Sequence, residues 1–213
     1  MSWKLFGLLL EAARLTVLLS AASILIGFVI ACLVCAGMLS HNPVARGAGR
    51  LFVSFFRGTP LLVQLLLIYY LLPSIGLDVP SEVAAIAGMS LCTAAYQAEI
   101  MRGGFGAVPK GLLEAADMTG MSGIQTFRRI RLPIAVKLTL PALISEAIMM
   151  LKSSSLVSVV GVIELTRMAQ DLAASTYRPL ELYAAAGLIY LVINLLVALL
   201  GTGLEARLKW GRV

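Results

Sequence analysis

Three polar side chains lie within otherwise apolar stretches of the sequence and could bind a ligand there: Gln64, Glu146 and Ser153. A carboxylate at membrane depth is costly and usually marks a transport pathway or an ion pair. Glu146 follows Pro133 by 13 residues. That separation is about 20 Å along a helix, close to the middle of a membrane. Ser153 lies seven residues further on and shares the helix face of Glu146. Noncovalent binding of an ammonium or polar group in a cavity is the chemistry this pattern predicts.

Each of these side chains also has a structural interpretation. Glu146 and Lys152 could each pair with a neighbouring helix and hold a bundle together. We favour a cavity position for Glu146 and a structural one for Lys152, which is nearer the outer end and could extend to the interface. Gln64 could hydrogen-bond a zwitterionic ligand or join two helices, and both alternatives stay open.

Other charged and reactive residues do not form a catalytic pattern. Glu99 and Arg102 have the i,i+3 spacing of an ion pair, which predicts a structural role. Arg57 follows too few apolar residues to lie deep, so we expect it near the cytoplasmic interface. His41 has no partner cysteines, so no metal site is predicted. Without a His/Cys/Asp cluster or an activated nucleophile, a membrane-embedded enzyme is disfavoured.

The composition indicates that lipid is the solvent for most of the chain. Hydrophobic residues make up 60% of the 213 positions and charged residues 13%, whereas soluble domains have about half and about a quarter. The net charge of +6 comes from basic residues beside apolar runs, which favours cytoplasmic loops over nucleic-acid binding. We predict one all-α membrane domain over residues 1–213.

Five apolar runs are long enough to cross a membrane as helices, which need about 20 residues. Only helices satisfy the backbone in lipid at these lengths. Basic loops alternate with loops poorer in Lys and Arg, which predicts an N-terminus outside and a C-terminus in the cytoplasm. The predicted spans are Leu15–Leu39, Leu51–Leu72, Val83–Met101, Pro133–Val160 and Leu182–Leu204.

The third and fourth predicted spans are joined by a polar loop, residues 102–132, on the cytoplasmic side. A first helix is expected over Pro109–Thr119, because proline suits a first turn. Gly120 suits the cap that ends it. A second helix is expected over Ser122–Arg131, with Ser122 as its N-cap. By itself, this loop could be an ordinary amphipathic surface segment.

Seven residues of this loop region stand at set distances from one another: Glu114, Ala115, Ala116, Gly120, Ile130, Leu132 and Pro133. Their spacing resembles in full the loop motif of bacterial ABC-importer permeases. Phe56–Gln64, which includes Arg57, Gly58, Thr59 and Pro60, resembles the signature of the polar amino-acid branch, which carries histidine, glutamine, arginine or opines. Ala95–Arg102 and Lys152–Leu156 are similar to stretches of that branch too, but Ser153 stands where an aspartate is frequent.

The resemblance implies a type I ABC importer permease in the bacterial cytoplasmic (inner) membrane. Its loop would be a coupling helix gripped by a cytoplasmic ABC ATPase dimer, where ATP and Mg²⁺ bind. A second permease subunit, identical or homologous, would complete the pathway, and an extracytoplasmic solute-binding protein would deliver a polar amino acid near Ile163–Leu180. The chain contains no G-x-x-x-x-G-K-[ST] phosphate loop, so we expect no cofactor on it.

Two other transport functions remain as alternatives. A permease for a different small solute, such as a quaternary amine or a metal chelate, would share the loop motif. The stretch from Arg57 to Gln64 favours amino acids over these solutes. An ion-coupled secondary transporter is less favoured, because such proteins often contain internal repeats and this sequence shows none.

Overall fold

The computed structural model describes residues 3–208, which fold into nine α-helices without a strand. The prediction of an all-α membrane protein is confirmed. The helices are α1 (Trp3–Leu39), α2 (Pro43–Gly58), α3 (Leu61–Ser74), α4 (Ser81–Gly106), α5 (Lys110–Met118), α6 (Gly123–Thr126), α7 (Leu132–Ser153), α8 (Leu165–Thr176) and α9 (Pro179–Leu208).

Four helical stretches are long and apolar enough to span a membrane, and they coincide with four of the predicted spans. They include α1, α4, α9 and a continuous stretch over Gly123–Val160 that contains α7. The first was expected to begin near Leu15, but α1 begins at Trp3. Its additional turns are retained because Leu9 and Ala13 are buried against α8 and α9.

The second predicted span, Leu51–Leu72, is not one continuous helix. It consists of α2 and α3, which meet at 103° and form a fifth span only when counted as a broken pair. Pro60 has no N–H to continue the ladder and disfavours a helical residue before it. Thr59 is accordingly extended, with φ −111° and ψ 140°.

The loop between α4 and α7 contains both expected helices. The first is α5, which is followed by Gly120 at φ +72°. The second begins as α6 and has a capping box between Ser122 and Gln125. It then continues through the π-helical turn Phe127–Arg131 directly into α7. The second loop helix is therefore an extension of a span rather than a separate element.

Close packing of α1 against α4 positions the polar residues described below. Gly27 of α1 lies so near α4 that a Cβ there would be 2.9 Å from the Ser90 carbonyl oxygen. Small residues at a helix interface let backbones approach closely in membranes. Thr93, next to Gly27, is held within the bundle and is fully buried.

Candidate binding cavity

A cavity of about 420 Å³ lies where the break between α2 and α3 faces α4 and α7. It brings together two residues predicted as ligand contacts and the family signature Arg57–Pro60. The wall is formed by the α2–α3 break, α4 and α7, and α7 contributes both polar and apolar side chains. The lining residues are Arg57, Gly58, Thr59, Pro60, Leu61, Cys92, Tyr96, Glu146, Met149, Met150 and Ser153.

Glu146 supplies a carboxylate to this cavity while being only 4% exposed. Thr93 of α4 donates a hydrogen bond to its Oε1 at 3.2 Å, and Gln97 Nε2 donates to the Thr93 hydroxyl at 3.2 Å. The ion pairs found within residues 3–208 join other side chains. Lys152 is exposed. Among the described residues, Glu146 thus accepts a hydrogen bond but takes part in no direct ion pair.

Arg57 lies against the Tyr96 ring, with its guanidinium carbon 5.2 Å from the ring centroid. It lines the same cavity as Glu146. From the sequence, Arg57 was expected near the cytoplasmic interface and was not among the predicted ligand contacts. The bend at Pro60 turns the end of α2 toward α4, which a residue count along a straight span does not reveal. Pro60 itself was the only available signal for this placement.

Ser153 and Gln64, both predicted as ligand contacts, occupy different positions. Ser153 lines the cavity, and its hydroxyl donates to the Met149 carbonyl at 2.9 Å. Gln64 is 3% exposed and is not among the lining residues. Its Nε2 donates to the carbonyls of Phe56 and Thr59 at 2.8 and 2.9 Å, and lies 3.0 Å from the Thr59 hydroxyl. These contacts match the alternative in which Gln64 joins two helices.

The predicted coupling residues lie in and beside a compact helical knob, formed by α5, α6 and the π-helical turn between α4 and α7. Within α5, Glu114 and Ala115 are exposed and Ala116 is buried. Ile130 belongs to the π-helical turn, while Leu132 and Pro133 begin α7. Aromatic packing attaches this knob to α4: Phe105 stacks on Phe127 with ring centroids 6.0 Å apart, and the Arg131 guanidinium lies over Phe105.

Apolar helices around a polar cavity, with a helical knob at one end, define a membrane transport subunit. The chain belongs to the family of binding-protein-dependent transport system inner membrane components, whose family model matches residues 23–210. It is thus the permease component of an ABC importer in the inner membrane. Family membership confirms the predicted class and location, and it excludes the secondary-transporter alternative.

Proteins of known class are similar to this one over nearly the whole chain. The octopine transport system permease protein of Rhizobium radiobacter is 39% identical, with 95% of this chain and 86% of that protein covered. The glutamine transport system permease protein of Escherichia coli K12 is 34% identical, with 97% and 95% covered. A crystal structure of an amino acid ABC transporter with histidines is 36% identical, with TM-score 0.90 and 94% of each chain covered. An inward-facing methionine ABC transporter shares the fold, with TM-score 0.80, 20% identity and 98% and 100% coverage.

Proposed function

We propose that this permease carries a polar amino acid or an amino-acid derivative such as an opine. The observation that supports the proposal is a carboxylate and a guanidinium, Glu146 and Arg57, on one cavity wall without an ion pair between them. Opposite charges held apart complement a zwitterion. The volume of about 420 Å³ suits a small molecule. Related permeases named for octopine and glutamine agree with this substrate class.

Glu146 binds the substrate ammonium in this proposal, and Arg57 binds the substrate carboxylate. A buried carboxylate without a counter-ion is expensive, and an arriving ammonium group removes that cost. A guanidinium can bind a carboxylate through two parallel hydrogen bonds. Ser153 provides a neutral hydrogen-bonding group beside Glu146. Gln64 does not contact the substrate in this proposal but stabilises the bend next to Arg57 through its hydrogen bonds to the Phe56 and Thr59 carbonyls.

Energy enters through partner subunits. A cytoplasmic ABC ATPase dimer binds the knob formed by α5 and α6. The ATPase subunits, and not this chain, bind and hydrolyse ATP with Mg²⁺. This proposal is supported by the exposed Glu114 and by the loop motif it begins. Two permease chains, identical or homologous, enclose the pathway, and a solute-binding protein docks outside near Ile163–Leu180. The cavity then opens to alternate faces without covalent chemistry in this chain.

Uptake by reconstituted vesicles tests the role of Glu146. Glu146→Gln keeps the size of the side chain but removes a charge-assisted hydrogen bond, which contributes about 1.5–3 kcal/mol. We expect the KM for radiolabelled glutamine, histidine, arginine or octopine, whichever is carried, to rise about tenfold or more. Glu11→Gln, an exposed carboxylate change in α1, is the matched control. Wild-type kinetics for every probe would contradict the proposal, and failure to assemble would indicate a structural role.

Substrate analogues test the role of Arg57 separately. The methyl ester of the carried amino acid lacks the negative charge, so it should compete weakly with uptake by the wild type. Arg57→Gln should weaken competition by the free amino acid but leave competition by the ester unchanged. Equal weakening for both compounds would show that Arg57 does not recognise the carboxylate. That outcome would favour a solute such as a quaternary amine.

A further inference from the structure

A second, strongly basic pocket of about 360 Å³ lies between α1, α2 and α4. Three arginines line it, Arg50, Arg57 and Arg102, with Glu99 as the one acidic lining residue. Arg102 is already engaged, because its guanidinium makes two hydrogen bonds to the Glu99 carboxylate. Arg50 and Arg57 have no acidic partner within the described residues. With three arginines and one glutamate, the pocket lining has a formal charge of about +2.

The pocket lies near the ends of two membrane-spanning helices, α1 and α4. Met38, the penultimate residue of α1, contributes to its wall, and Arg102 is one turn from the end of α4 at Gly106. Those two helix ends are packed together, since Met38 shares a core cluster with Phe105. Both ends are predicted to be cytoplasmic by the loop charges. Basic pockets between membrane helices on this side suit anionic headgroups.

The helix that carries Arg50 also offers a place for acyl chains. Arg50 and Arg57 are seven residues apart and share one face of α2. The opposite face is apolar and open: Val44 is 77% exposed, Leu51 72% and Phe55 51%. A helix with a basic face and an apolar face is suited to the membrane interface. The bend of 103° also turns α2 away from the direction of α3.

We propose that the pocket binds the phosphate of an anionic phospholipid of the cytoplasmic leaflet, with the acyl chains along the Val44–Phe55 face of α2. Arg50 contacts the phosphate, and the Arg102–Glu99 pair sets how much positive charge is available to it. Arg57 lies between this pocket and the substrate cavity, and lines both. A bound lipid would thus adjoin the residue that we propose recognises the substrate carboxylate.

The test uses the assembled transporter in nanodiscs of phosphatidylcholine with increasing phosphatidylglycerol. Native mass spectrometry measures the phosphatidylglycerol retained by the transporter. A basic residue near a membrane surface contributes about fivefold in affinity for anionic lipid. We expect Arg50→Gln to raise the half-saturating fraction of phosphatidylglycerol about fivefold. Arg46→Gln, the same charge change one turn away and outside the pocket, should leave it unchanged. Glu99→Gln removes the carboxylate that pairs with Arg102 and should lower the half-saturating fraction of phosphatidylglycerol.

Three outcomes would overturn the proposal. Unchanged retention in Arg50→Gln would show that the pocket does not hold the lipid. An equal loss in Arg46→Gln would show that only general surface charge matters. Full displacement by excess inorganic phosphate would show a site for free anions instead of a lipid headgroup. Retention that persists in phosphate and is lost with Arg50 supports the lipid assignment, and it excludes a partner subunit that covers the pocket.

Discussion

Thr93 of α4 donates a hydrogen bond to Glu146 of α7 across 3.2 Å in the interior of the helix bundle. Both side chains are buried, at 0% and 4% exposure. Gln97 donates to the Thr93 hydroxyl, so the single hydroxyl proton of Thr93 is directed at the carboxylate. The charge that faces the cavity is thus carried by one span and oriented by another. Movement of α4 relative to α7 would change how Glu146 is presented.

Thr93→Val tests this contact by replacing the hydroxyl with a methyl group of similar shape. We expect the free energy of unfolding to fall by about 1.5–3 kcal/mol, because a hydrogen bond to a charged group is lost. The thermal unfolding midpoint of Thr93→Val should therefore fall. Thr93→Ser keeps the hydroxyl and should retain most of the wild-type stability. In a Glu146→Gln background the cost of Thr93→Val should shrink. Equal costs in both backgrounds would show that the two residues are not coupled.

Gln64 is expected to stabilise the bend between α2 and α3. Gln64→Met keeps the length of the side chain but leaves the Phe56 and Thr59 carbonyls without their donor. An unpaired buried group costs about 1–3 kcal/mol, so the unfolding midpoint should fall. Val63→Met, at a neighbouring position that is 42% exposed, is the control. Equal midpoints for the two variants would contradict this role.

Glu164, between the spans, should make stability depend on pH. It is fully buried and accepts hydrogen bonds from the Arg167 and Thr166 amides and the Tyr190 hydroxyl. Burial raises the pKa of Glu164 above its ordinary value of 4.5, although these hydrogen bonds oppose the shift. The folded state therefore favours the protonated acid. Its stabilising contribution is fully present below pH 4.5 and is lost as the pH rises through the raised pKa.

The measurement compares unfolding midpoints of the wild type and Glu164→Gln, whose amide does not titrate. From below pH 4.5 to neutral pH, the wild type should lose stability relative to the variant. Asp171, an exposed carboxylate that pairs with Arg167, provides a control, since Asp171→Asn makes the same kind of substitution at the surface. A wild-type-to-variant difference that is constant with pH would refute the expectation.

Hydropathy and helix periodicity predicted much of the fold and part of the site. Apolar runs identified four spans because transfer into lipid depends on composition, and the i,i+7 spacing placed Glu146 and Ser153 on one face. The bend at Pro60 was only partly foreseeable. Proline could have kinked one helix mildly, and the break depends on Gln64 satisfying the released carbonyls.

The missed site residues share a physical reason. Arg57 reaches the cavity only because the bend brings α2 against Tyr96 of α4. Thr93 and Gln97 are uncharged residues in a span rich in alanine, so their role was not visible in the sequence. Their importance follows from the contact of Thr93 with Glu146, which lies 53 positions later in the chain. Tertiary contacts of this kind do not follow from local pattern.

Gly120 is the residue at which coupling between the partner ATPase and the spans should be most sensitive. Its φ of +72° allows the Met121 amide to donate back to the Ala116 carbonyl at 3.1 Å, which closes α5 and turns the chain toward α6. A left-handed conformation costs an ordinary L-residue about 1–2 kcal/mol. A Cβ at Gly120 would meet no atom within 4 Å, so the cost of a substitution comes from the backbone and not from a clash.

Gly120→Val should therefore change the angle between α5 and α6 while leaving membrane insertion intact. We expect uptake by vesicles to fall, with either loss of substrate-stimulated ATP hydrolysis or hydrolysis that no longer drives uptake. Gly120→Asn, which tolerates the left-handed region better, should retain more activity. Gly123→Ala adds a side chain in equally open space at a position without positive φ and should be neutral. If Gly120→Val shows normal stimulated hydrolysis and normal uptake, the geometry at Gly120 does not transmit coupling. If Gly123→Ala is as defective as Gly120→Val, the effect comes from the loop surface and not from the turn.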